Sequence, residues 1–136
     1  MREILFRGKS ELLGWVYGWY CPEVKWGEHH FPVGITQKTK EGWLDDAVVI
    51  PETIGQFTGL TDKNGKKIFE GDIIKIPDDY EEFGINAGEI YEVYFAFGGF
   101  RLKPKYSQAK GFWLEDDETV EIIGNIHDNP ELLENP

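Results

Sequence analysis

Short β-prone runs, punctuated by Gly, Pro and Asn, recur along this chain at roughly the 8–12-residue spacing of sandwiches and barrels. That rhythm constrains the fold more than any other feature, and it favours strands joined by tight turns. Residues 12–20 show it best, because their side chains alternate at period two. Leu13, Trp15, Tyr17 and Trp19 share one face, and Leu12, Gly14, Val16, Gly18 and Tyr20 share the other. The first face is bulky. The second is pared down by glycine, which suits a close approach of neighbouring backbone. The bulky face is either core or an interaction patch, so Trp15, Tyr17 and Trp19 are candidate interface residues.

The remaining runs follow the same logic. "REILFR" is a short extended start, and "CPEVKWGEHHFP" is a loop with Pro22 and Pro32 near its ends. "WLDDAVVI" is a strand closed by Pro51, and "ETIGQFTGL" is a shorter strand broken by glycines. Asn64-Gly65 is the pair that tolerates positive φ at both centres of a type I′ turn. Phe57 and Thr58 precede it, and Ile68 and Phe69 follow, all β-prone. "DIIKIP" stops at Pro77 and gives way to the acidic loop "DDYEEFGINAG". "EIYEVYFAFGGF" alternates Tyr91, Val93, Phe95 and Phe97 against Ile90, Glu92, Tyr94 and Ala96. Gly98-Gly99 reads as its hairpin turn into "FRLKP", and "GFWLE" and "TVEIIGNI" complete the strands. Near the C-terminus, Asp128 or Asn129 is a helix N-cap, with Pro130 at the first helical position. The fold class expected is all-β with one short C-terminal helix.

Composition bounds the function classes. The chain has 136 residues, enough for one domain or two small barrels sharing a core. Its formal net charge is −11, which argues against duplex DNA bound through counterion release and against an anionic membrane surface. Residues 51–136 hold eight Lys/Arg against eighteen Asp/Glu, so almost all of the surplus acid lies there. A basic partner, or self-repulsion for solubility, is the inference available. Cys21 stands alone, which fits a reducing cytoplasm. "LLGWVYGWYC" lacks a small-residue cleavage site and reads as a strand, and no apolar run is long enough to span a bilayer.

"TDKNGKKIFEGDIIKI", residues 61–76, invites three chemical readings. A phosphate loop needs G-x-x-x-x-G-K-[ST], but Gly59 to Gly65 encloses one residue too many and Lys67 stands where Ser or Thr must be. A calcium loop needs Gly at its sixth position and Glu at its twelfth, and these are Lys67 and Ile73. A tight turn with solvated lysines survives both tests. Glu70-Gly71-Asp72 is a bend with hydrogen-bonded carboxylates, or one half of a carboxylate pair. Adjacent His29 and His30 point to opposite sides of an extended chain and do not converge on one metal with Cys21 or the distant His127. The sequence thus points to no catalytic residue, metal or cofactor. The acidic runs at 78–82 and 115–118 are solvated loops that discourage edge pairing, or a negative face for a basic partner. Arg101, Lys103, Lys105 and Lys110 are the local basic stretch that single-strand stacking on aromatics would require.

Three blocks carry a family resemblance: "MREILFR", "PETIGQFTGLTDKNGKKIFEGDIIKI" and "VEIIGNIHDNPELL". Together they resemble the YopX family of phage and prophage proteins. The middle block, with its Gln-Phe-Thr-Gly-Leu, Asp-Lys-Asn-Gly and Ile-Phe-Glu-Gly-Asp-Ile, is the most specific, whereas residues 8–50 match little beyond general character. The resemblance implies a phage or prophage protein working in bacterial cytoplasm. It implies an N-terminal β-rich part, residues 1–58, and a C-terminal part similar to a small SH3-like barrel, residues 59–136. It carries over no catalytic residue, because the family's activity is not defined. In this picture Thr58, Gly59, Asp62, Asn64, Gly65, Glu70, Gly71 and Asp72 form a structural corner.

Three functions are weighed on these grounds. One is a non-catalytic binding or assembly module acting through protein contacts, with a homo-oligomer among its expected forms. Another is a nucleic-acid-linked accessory protein, either an acidic mimic or a weak single-strand binder. The third is a metal-dependent hydrolase using Glu70 and Asp72.

Overall fold

The structure is a computed structural model, described here for residues 3–38, 44–77, 88–105, 112–113 and 120–134. It is nearly all strand. The chain divides into two compact units, residues 1–57 and 58–136.

The first unit holds β1 (Phe6–Ser10), β2 (Gly14–Cys21), β3 (Val24–Trp26), β4 (His29–Phe31), β5 (Gly34–Lys38), β6 (Leu44–Val48) and most of β7 (Ile50–Thr61). Its main sheet runs β6-β5-β2-β1-β7, and its β1–β2, β1–β7, β2–β5 and β5–β6 pairs are antiparallel. Val16, Val33, Ile35, Ala47 and Val49 form the core, with Phe6 and Ile54 against it. The glycine-pared face of β2 is therefore the inner one. A Cβ on Gly18 would lie 2.0 Å from the Thr36 carbonyl oxygen, so only glycine fits there.

The segment expected as a loop between Pro22 and Pro32 is instead a hairpin, in which Val24 pairs with Phe31, Lys25 with His30 and Trp26 with His29. Gly27, at φ 62, is the first central residue of its two-residue turn, the glycine position of a type II′ turn. The two prolines flank the strands and remove no ladder donor from within them. Two other expectations are corrected in β7. Pro51 lies inside this strand and does not close the one before, because the β1–β7 register is irregular between Arg7 and Lys9. The glycines at 55 and 59 do not break it either, and Ile50–Thr61 is one twelve-residue strand.

The last residues of β7 belong to the second unit, where β8 (Lys67–Phe69) is their neighbour. β9 (Asp72–Lys75), β10 (Ile90–Ala96), β11 (Gly99–Pro104), β12 (Phe112–Trp113) and β13 (Glu121–Asn125) form a sheet in the order β12-β11-β10-β9-β13. Ile68, Ile74, Ile76, Tyr91, Val93, Leu102 and Val120 make its core. Among the described residues these pairings define a five-stranded antiparallel sheet. The β10–β11 turn falls one residue earlier than expected. Buried Val93 lies opposite buried Leu102, so Ala96 lies opposite Gly99 and the connecting pair is Phe97-Gly98. The expected terminal helix is a single 3-10 turn, Pro130–Leu133. Asn129 does not cap it by its side chain; its Oδ1 accepts the Asn125 N–H at 3.2 Å. The acidic runs at 78–82 and 115–118, and Lys110, lie outside the described residues.

Candidate functional site

Residues 58–72 assemble as a corner of the second unit. Thr58 is buried, its hydroxyl donates to the Ile68 carbonyl at 2.8 Å, and the Leu60 N–H donates back to that hydroxyl at 3.1 Å. This ties β7 to β8. Gly59 follows at φ 91, a backbone state that favours glycine.

Asp62 organises the loop. It is 2% exposed, and the N–H groups of Asn64 and Lys66 both donate to its Oδ1 at 2.9 Å. The Ile122 N–H donates to Oδ2 at 3.1 Å, so the same carboxylate reaches β13. Burial raises the Asp62 pKa, but the N–H groups of Ile122, Lys66 and Asn64 outweigh it, and the carboxyl sits below its ordinary value. The backbone completes the turn: Gly65 N–H donates to the Asp62 carbonyl at 3.0 Å, and Asp62 N–H to the Lys66 carbonyl at 2.8 Å. Gly65 has φ 78 but Asn64 is not in the left-handed region, so the expected type I′ turn is corrected. Lys63 and Asn64 occupy the centre of a type I turn, and Gly65 is the left-handed residue after it. The Asp62 side chain holds Asn64 in place, which removes the need for positive φ there. Lys63 extends the link to β13, with its N–H on the Val120 carbonyl at 2.9 Å and its Nζ 3.4 Å from Glu121 Oε2.

Glu70-Gly71 joins β8 to β9. Gly71 has φ 94 at the second central position, as a type II turn requires. Buried Asp72 accepts the Phe69 N–H at 2.7 Å. Gly71 donates to Val93 at 2.8 Å and accepts from Ile126 at 2.9 Å, which stitches the turn to β10 and to the segment after β13. Thr58, Gly59, Asp62, Asn64 and Gly65 thus shape the β7–β8 connection, and Glu70, Gly71 and Asp72 the β8–β9 turn. Among the described residues no group of three or more His, Cys, Asp or Glu is placed to hold a metal ion.

The histidines and Cys21 lie elsewhere. His30 Nε2 is 3.4 Å from Glu23 Oε2, and His29 lies on the opposite face of β4, 6.4 Å from both the Trp26 and Phe31 rings. The His30 bond, then the Lys25 charge, lowers the Glu23 pKa. The Cys21 thiol contacts the Thr36 hydroxyl at 2.8 Å, and that hydroxyl donates to Asp46 at 2.8 Å.

The candidate interface residues are split. Trp15 is half-buried, with the Arg7 guanidinium 4.7 Å from its ring centroid, while Tyr17 and Trp19 are exposed. Beside them in the first unit stands a group the sequence reading passed over. The β3–β4 hairpin exposes Val24, Trp26 and Phe31, and the pairings place these three and His29 on one face. The signal was present in the alternation of Val24 with Trp26 and of His29 with Phe31 around Gly27. The second unit adds exposed Phe95 and Phe97 at the β10–β11 turn.

Fold and site together define an all-β protein of short antiparallel strands in which a buried aspartate knits a hairpin loop to a distant strand. The family model of the YopX protein matches residues 19–134, and the chain belongs to that family. It is 35% identical over 75 residues to the SPbeta prophage-derived uncharacterized protein YopX of Bacillus subtilis (strain 168), a stretch covering 52% of each protein. The match thus spans about half the length of that relative. The crystal structure of protein EF1440 from Enterococcus faecalis has a similar fold, with a TM-score of 0.55 at 23% identity over 98% of this chain and 100% of that one. Among the described residues no helix is long and apolar enough to cross a membrane.

Proposed function

We propose that this chain is a phage or prophage protein that works in the bacterial cytoplasm as a non-catalytic binding or assembly module, through protein contacts. One observation carries the reading: the β3–β4 hairpin holds Trp26 75% and Phe31 55% exposed on a sheet that has only these two strands among the described residues. A lone hairpin is marginal in water, and a contiguous aromatic face is costly to leave wet, so a partner that covers it improves both. The non-catalytic part of the reading is supported by the corner, where the Asp62 and Asp72 carboxylates accept backbone N–H groups. The prophage origin is supported by the family and by the name of the Bacillus relative. The reading calls for no cofactor. The partner is a protein, and a net charge of −11 favours one with basic groups.

Affinity purification of the tagged chain from host cells tests this. The wild type captures a defined protein or a second copy, and W26S/F31S, altered only at exposed positions, keeps its melting temperature and loses the capture. A wild type that retains nothing counts against the reading.

A single-strand nucleic-acid role has one observation in its favour. β11 carries Arg101 and Lys103, Lys105 follows it, and exposed Phe95 and Phe97 lie at its turn. Direct retention of an oligonucleotide, weakening as salt rises, distinguishes that role.

A further inference from the structure

Phe97 occupies a position that stability alone does not explain. It and Gly98 are the two centres of the β10–β11 turn, with φ 54 and 83. Turns of this kind take Asn, Asp or Gly, and positive φ on a bulky aromatic is strained. The ring is also 86% exposed, so the fold gains little apolar burial from it. The Arg101 guanidinium lies 5.4 Å from the ring centroid, and Phe95 nearby is itself 51% exposed. The tip is therefore an aromatic knob with a cation attached. Backbone strain at an exposed side chain points to a contact made outside the chain.

The first unit carries a receptor of matching chemistry. A cleft of ≈ 650 Å³ lies between the β1–β2 turn and the β6–β7 junction, lined by residues that include apolar Leu12, Leu13, Val48 and Pro51 and acidic Glu11 and Asp46. Leu12 is 94% exposed and Leu13 66%, so its wall stands open. The volume is in the range that encloses a drug-sized ligand, ample for phenyl rings.

We propose that the Phe97–Arg101 knob of one copy seats in the Leu12–Val48 cleft of a second copy, a head-to-tail association. Apolar surface meets apolar surface, and the guanidinium meets the carboxylates of Glu11 and Asp46. Because knob and receptor are different patches, the contact is heterologous and leaves one of each unused at the ends unless a ring closes. The proposal deepens the protein-contact reading by naming a second copy as partner, and it rests on that reading.

Sedimentation velocity from low to high micromolar concentration tests it with three full-length proteins. The wild type associates as concentration rises. F97N removes the knob and relieves the positive φ, so it is monomeric with a melting temperature equal to or above the wild type. L12S, at a side chain exposed to solvent, is monomeric with an unchanged melting temperature. Mixed in equal amounts, F97N supplies an intact cleft and L12S an intact knob, and a dimer forms. A monomeric wild type, an F97N that still associates, or a mixture that stays monomeric overturns the proposal. A monomeric wild type that nevertheless captures a host protein overturns the self-association alone and leaves the protein-contact reading standing.

Discussion

At Asp62, two carboxylate oxygens serve three backbone N–H groups drawn from the loop and from β13. Asp62→Asn keeps one carbonyl oxygen but turns an amide NH₂ toward a donor, so at least one N–H loses its acceptor inside the protein. Chemical denaturation is expected to show a loss of about 2 kcal/mol. The pH dependence follows from the depressed pKa of Asp62. Its contribution is present above the unfolded value and is lost as pH falls through the folded one. The gap between wild type and D62N therefore persists at neutral pH and closes below about pH 4. Glu92 has the opposite sign. Burial raises its pKa more than the Lys103 charge lowers it, so ionising it destabilises the fold. Its contribution is complete below the unfolded value and fades as pH rises through the folded one. Glu92→Gln should raise the melting temperature at pH 7 and leave it unchanged near pH 4, in matched thermal melts.

Among the elements, β2 shows most directly how a strand's sequence sets its packing. Gly18→Ala would push a Cβ into the Thr36 carbonyl, 2.0 Å away, and part β2 from β5. The expected loss is about 3 kcal/mol, with exchange protection falling first in β5. Alternation and glycine placement made this strand legible, but not which of its faces turns inward, because bulky aromatics suit a core as well as a contact patch. Turn positions were legible to within a residue, because Asn64-Gly65, Glu70-Gly71 and Gly98-Gly99 are strong local signals. Turn types were not. At Asn64 the outcome depends on a side chain two residues earlier, and at Phe97 on the pairing of Val93 with Leu102, which no local signal reveals. The β3–β4 hairpin was hidden by its flanking prolines, which read as loop although they stand outside the paired residues. Family resemblance drew attention to the residues of the β7–β8 and β8–β9 turns, whereas the reach of Asp62 to Ile122, sixty residues away, is a product of the fold.

Across the whole molecule, the residues that build the fold differ from those proposed to touch a partner. The family hallmark builds: Thr58, Asp62, Gly65, Gly71 and Asp72 close turns and join strands within the second unit. The exposed aromatics of β2, of the β3–β4 hairpin and of the β10–β11 turn are the residues proposed for contact. The decisive measurement is capture of the wild-type partner at low temperature by folded D62N and by folded W26S/F31S. The account predicts that D62N, although less stable, retains the partner, and that W26S/F31S, although equally stable, does not. A folded D62N that loses the partner while W26S/F31S keeps it would contradict the account, because the working site would then be the corner itself.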